Sequence, residues 1–152
     1  MTVIENHQNL KTLYETDFNL WLKEMANLLK NCQLEKLDID NLIEEIEGMS
    51  RSEKDALESN LRVLLMHLIK WQCQVSKRSN SWLYTIREHR KIIQKAFKKS
   101  PSLKPYFNDI LAESYQDARE LAADETGLDI NLFPDDCPFS KTDIISSDYL
   151  PK

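Results

Sequence analysis

The chain has 152 residues, 41% of them hydrophobic and 30% charged, which is the size of one domain able to bury a core. Only two glycines are present, where ordinary usage of about 7% would supply roughly ten or eleven, and this argues against a turn-rich β fold, a phosphate-cradling loop or a dinucleotide-binding turn. A net charge of −5 is not that of a nucleic-acid-binding domain, which is usually basic overall.

The amino terminus has no basic start followed by an apolar run and no small-residue cleavage site, so no secretory signal is read and the cytoplasm is expected. No run approaches the length of a membrane span; the longest comparable stretch, Val63 to Ile69, contains His67. Cys32, Cys73 and Cys137 are odd in number and far apart, as reduced thiols would be.

Residues 1–12 are expected to fray. After them Phe18, Trp21, Leu22, Met25, Leu28, Leu29 and Cys32 recur at the spacing that lines one helix face, with Thr16 as N-cap. Asp38 or Asp40 can cap a second segment with Leu42, Ile43, Ile46 and Met49 inward and Glu44, Glu45 and Glu47 elsewhere. Gly48 leaves open whether 40–75 is one helix or two. The third segment, about 53–75, carries Leu57, Leu61, Leu64, Leu65, Leu68, Ile69 and Trp71 and is apolar nearly all round, as the central helix of a bundle is.

Lys77 to Ser81 form a polar break, and Ser81 can cap a fourth helix to about Lys99 with Trp82, Ile86, Ile93 and Phe97 inward. Ser100-Pro101-Ser102 ends it. A fifth helix starts near Leu103, turns Phe107, Ile110, Leu111, Ala118, Leu121 and Ala122 inward, and stops at Gly127. Residues 128–152 are irregular but rich in apolar side chains, so they should wrap the bundle, and Ser140 with Asp143 can open a short final helix. The expected fold is a single all-α domain, a bundle of about five helices.

Charge is segregated along the chain. Residues 1–50 carry −6, residues 51–105 carry +9 and residues 106–152 carry −8. At about 100° per residue, Arg87, Lys91, Lys95 and Lys98 form a basic stripe opposite Trp82, Ile86 and Ile93. Asp109, Glu113, Asp117, Glu120 and Asp124 form an acidic one on the next helix. The basic stripe is either a solvated face offset by acidic neighbours, in the same molecule or a second copy, or a footprint for phosphates.

His67 draws attention because Asn60, His67 and Gln74 stand seven apart in an apolar helix, forming a polar strip with Trp71 one turn away. Such a strip is either a packing network or the floor of a site, in which His67 would be a general base beside Glu44, Glu45 or Glu47. No Cys-x-x-Cys, Glu-x-x-His or His-x-x-x-His spacing occurs, so neither metal nor cofactor is expected.

Tyr14-Glu-Thr-Asp-Phe18 with Trp21-Leu22, Asn41-Leu-Ile-Glu-Glu-Ile46, Arg51-Ser-Glu53, His67-Leu-Ile-Lys-Trp-Gln72, Arg78-Ser79 with Ser81-Trp82, Thr85-Ile-Arg87, Ser100-Pro-Ser-Leu-Lys-Pro105, Glu125-Thr-Gly127, Phe133-Pro134 and Cys137-Pro138 together resemble the bacterial family catalogued as domain of unknown function 29, over about residues 10–151. The resemblance implies an all-helical domain and carries no activity or catalytic residues with it. Val75 stands where that family's pattern has proline and Ser50 where it often has glycine, both implying longer helices here. Its most distinctive segment holds His67, Lys70, Trp71, Gln72, Arg78, Ser81, Trp82, Arg87 and Arg90.

The expectation is therefore a cytoplasmic helical interaction module, with another protein or a second copy as partner and no membrane. The alternative is a nucleic-acid-binding protein or small phosphodiesterase. It would use the basic segment 77–104, with Lys70, Arg78, Arg87, Arg90, Lys91, Lys95 and Lys98 for phosphates, and His67 with Glu44 or Glu47 for proton transfer.

Overall fold

The computed structural model describes the backbone of residues 3–152 and the side chains from Leu10 onward. Among the described residues there are six α-helices, three single 3-10 turns and no strand. The helices are α1 (Val3–Thr16), α2 (Phe18–Lys30), α3 (Ile39–Cys73), α4 (Asn80–Lys99), α5 (Leu103–Thr126) and α6 (Lys141–Ile145). The turns are Leu34–Lys36, Val75–Lys77 and Ile130–Leu132. Two compact units divide the chain, Met1–Ser52 and Glu53–Lys152.

The all-helical expectation holds, with changes at the joints. Where a frayed terminus was expected over 1–12, α1 is helical from Val3; residues 1 and 2 of that stretch lie outside the described residues. Thr16 is the last residue of α1 rather than a cap, and the cap of α2 is Asp17, whose carboxylate accepts from Leu20 N at 3.1 Å. Segments two and three are one helix of 35 residues, uninterrupted at Gly48 or Ser50. It begins after Asp38, whose carbonyl accepts from Leu42 N, and it stops at Cys73, so Val75 does not prolong it. Ser79, not Ser81, caps α4, its hydroxyl accepting from Trp82 N at 3.3 Å. Gly127 ends α5 in the left-handed conformation with φ of 70°.

Cys32 differs most from its expected place. It is not part of the α2 stripe but is exposed, with φ of 53°. Gln33 N donates to Leu28 O and Cys32 N to Leu29 O, the paired bonds of a Schellman ending in which Cys32 takes the position usually given to glycine.

Unit 1 is thinly packed. Of its described hydrophobic side chains only Trp21 and Met25 are fully buried. Tyr14, Phe18 and Trp21 pack ring to ring at 4.9–5.9 Å between centroids. The Trp21 indole donates to buried Asp38 at 3.1 Å, and Tyr14 donates to Glu45 at 2.5 Å. Phe18, Leu22, Leu29, Ile43, Ile46 and Met49, all expected inward, are exposed. Their amphipathic period is real, but among the described residues the face it creates is left exposed.

Unit 2 holds the core. Leu57, Leu61, Leu64, Leu65, Leu68 and Ile69 of α3 pack with Ile86, Ile93 and Phe97 of α4 and Phe107, Ile110, Tyr115, Ala118 and Ala122 of α5. A fully buried Leu, Ile or Phe side chain contributes about 1.5–3 kcal/mol. Leu121, expected inward, is exposed. The segment after Gly127 closes on this core through Phe133, Phe139 and Ile144. Its α6 is capped by Ser140, whose hydroxyl accepts from Asp143 N at 3.1 Å.

Candidate functional site

The residues singled out by the sequence fall into three groups: polar side chains used inside unit 2, a basic outer face of α4, and the exposed apolar face of unit 1.

Lys70 is 1% exposed. Its ammonium donates to Glu125 of α5 at 2.6 Å and lies 4.5 Å from the centre of the Trp82 ring of α4. Arg90 is 3% exposed and holds the C-terminal segment: Nε donates to Ile144 O at 2.8 Å, one terminal nitrogen to Tyr149 O at 2.7 Å and the other to Asp143 O at 3.1 Å. Burial lowers its pKa, against the charges of Tyr149 and Asp143. Arg78 folds back on the last turn of α3, where Nε donates to Trp71 O at 2.8 Å and the guanidinium lies 4.9 Å from the Trp71 ring. These three candidate phosphate ligands are therefore turned inward. A buried cation must be paired or hydrogen-bonded; Lys70 and Arg90 have their partners within unit 2, whereas one terminal nitrogen of Arg78 is buried with no hydrogen-bond partner among the described residues.

The strip of Asn60, His67 and Gln74 is not one network. His67 Nδ1 donates to Val63 O at 2.9 Å, since a carbonyl can only accept. Asn60 donates to Ala56 O at 2.7 Å, and its amide oxygen accepts from His89 Nδ1 at 2.8 Å, joining α3 to α4. Gln74 lies past the end of α3 and leads into the Val75–Lys77 turn. Burial lowers the pKa of His67, and the charge of Lys70 lowers it further, against the Val63 carbonyl and Glu125. Burial also lowers that of His89. The carboxylate whose charge acts on His67 is that of Glu125, which is bonded to Lys70, and sequence reasoning did not pair it with His67. Glu44 is exposed and pairs with Arg51 at 2.9 Å inside unit 1, and Glu47 is exposed.

Arg87, Lys91, Lys95 and Lys98 are exposed along one face of α4, as their spacing predicts. Lys91 reaches Glu88 of its own helix at 4.0 Å. Beside this stripe lies an apolar groove of about 270 Å³, lined by Ala56 and Leu57 of α3 and Ile92 and Ala96 of α4, with Lys95 and Lys99 at its rim. Asp109, Glu113, Asp117, Glu120 and Asp124 are exposed on α5. No group of three or more His, Cys, Asp or Glu that could hold a metal ion occurs among the described residues.

Sequence reasoning missed the bare face of unit 1. Ile39, Ile43, Ile46 and Met49 project from three turns of α3 at 48–68% exposure, and Phe18, Leu20, Leu22, Leu29 and Leu34 are exposed in the same unit. The signal was present as an amphipathic period over Ile39 to Met49, but a period does not say whether another element covers the face it makes.

An all-helical protein with no helix, among the described residues, long and apolar enough to cross a membrane is what these observations define. The family model described as domain of unknown function DUF29 matches residues 13–150, and the chain belongs to that family. No curated protein and no solved structure is matched.

Proposed function

We propose that the chain is a helical interaction module that binds another protein through the apolar face of unit 1. One observation carries this reading: nine large hydrophobic side chains between Phe18 and Met49 are exposed, against two fully buried in the same unit. Four of them, Ile39, Ile43, Ile46 and Met49, recur along one side of α3, and such a row marks a protein contact site because apolar surface left in water forfeits about 25 cal/mol per Å². A location inside the cell belongs to the same proposal and is supported by three free thiols, Cys32, Cys73 and Cys137.

The exposed row of Arg87, Lys91, Lys95 and Lys98 favours a second reading, phosphate or nucleic-acid binding on α4. Its hydrolytic form has less support, since His67 is half-buried and bonded to Val63, and Lys70, Arg78 and Arg90 are engaged internally.

A photo-crosslinking residue placed at Ile46, and separately at Lys95, separates the two readings in cells. The module reading expects a protein adduct from position 46 that is lost when Ile43→Asp is added. Nucleic-acid adducts from position 95 with no protein adduct from position 46 would replace it with the second reading.

A further inference from the structure

We infer that the partner is a second copy of this chain, and that the α3 stripe of each copy seats in the α3–α4 groove of the other. This rests on the module reading above and gives it an occupant.

Three observations converge on it. The stripe of Ile39, Ile43, Ile46 and Met49 is apolar, and it is flanked on the helix wheel by exposed Asp40 and Glu47. The groove is its complement, lined by Ala56, Leu57, Ile92 and Ala96 together with Lys95, while Lys99 in the same lining is paired with Glu53. Asp40 and Glu47 would repel their counterparts in stripe-to-stripe pairing, whereas the exposed Lys95 of the groove would attract them, so charge favours stripe-to-groove pairing.

The continuity of α3 then decides between one molecule and two. Stripe and groove wall both belong to the single helix Ile39–Cys73, and a helix cannot fold back on itself, so the stripe reaches such a wall only in another molecule. Two antiparallel α3 helices satisfy both ends at once. One register sets Ile46 opposite the partner's Ala56, Leu42 opposite the partner's Asn60, and Met49 beside the stem of the partner's Glu53. Ser100 and Lys99 already hold that Glu53 carboxylate within its own unit, at 3.2 and 3.6 Å. The twofold axis passes near residue 51. The interface is isologous, so every contact is made twice.

The wheel also fixes the side on which charge meets charge. In this register Ile39, Ile43 and Ile46 face the partner's α4, and Asp40 and Glu47 fall beyond them, toward the partner's Lys95. The basic stripe thus has a role without nucleic acid.

The test uses the purified full chain in sedimentation equilibrium from about 1 µM to about 500 µM, at about 50 mM and about 500 mM salt. A dimer is expected that weakens as salt rises. Ile43→Asp/Ile46→Asp in the stripe, and separately Ile92→Asp/Lys95→Glu in the groove, should each raise the dissociation constant by roughly 30-fold or more, with unchanged helical circular dichroism. All four positions are exposed, so folding does not depend on them. Mixing the two variants supplies one intact stripe and one intact groove, and heterodimers should return. A monomer throughout the range overturns self-docking, and so does a dimer indifferent to both variants. If the chain is monomeric while position 46 still yields a protein adduct in cells, the module reading stands with a different protein as partner. If both fail, both fall.

Discussion

Lys70 and Glu125 form an unequal pair, one end sealed among aromatic and aliphatic side chains and the other half in water. Removing the carboxylate leaves a buried ammonium with only the Trp82 ring beside it. Replacing the lysine by an unbranched apolar residue of similar volume removes the charge that needed a partner. Glu125→Ala should therefore lower unfolding free energy by about 1–3 kcal/mol, whereas Lys70→Met should cost clearly less or add stability. Urea titration of both variants checks the order, and the reverse order would mean that the cation–π contact dominates. The burials of Arg90 and Lys70 were not equally visible in the sequence. Arg90 lies four residues after Ile86 and three before Ile93, on the core face that the apolar period already defined, so its burial was legible. Lys70 owes its burial to Trp82 and Glu125, twelve and fifty-five residues away, and no local pattern carries that information.

Among the elements, helix interiors were legible because a 3.6-residue period survives any backbone detail, and helix ends were less so. Ser79 and Ser81 satisfy the capping rule equally as text, and the structure separates them by starting α4 at Asn80. Cys32 looked like one more apolar position because its side chain continues the period; what removes it from the helix is its φ of 53°, which composition does not record. The same conformation is occupied by Gly127 at the end of α5. A side chain in left-handed backbone costs about 1–2 kcal/mol, and glycine avoids most of it. Cys32→Gly should thus raise the urea midpoint by up to about 1 kcal/mol equivalent, and Gly127→Ala, whose added Cβ would meet nothing within 4 Å, should lower it by about as much through backbone strain alone. If the two variants shift the midpoint the same way, the conformational account of these ends is wrong.

For the whole molecule, the fold class and the charge blocks were readable from residues alone, and the uneven distribution of core was not. Apolar period reports that a face exists, not whether the same chain covers it. For α4, and for α5 apart from Leu121, it does; for Ile39 to Met49, among the described residues, it does not. That difference separates a sequence that describes a bundle from a molecule that offers a surface. Unit 2 is closed by Arg90 as much as by apolar packing. Arg90→Met should release residues 143–149 from α4, seen as faster amide exchange there and a loss of about 2–4 kcal/mol, with Arg90→Lys a poor substitute because one ammonium cannot reproduce a planar fork serving three carbonyls. Unchanged exchange in that segment would show that Ile144 packing and the Gln94 bonds to Ile145 O and Ser147 Oγ hold it without the clamp. The clamp also imposes an order in time. Synthesis delivers the guanidinium 54 to 59 residues before Ile144 O and Tyr149 O exist to receive it, so a nascent chain already carrying α3, α4 and α5 still has an unsatisfied charge where its core should close. The Arg90 clamp of unit 2 is thereby completed only after synthesis has passed residue 149.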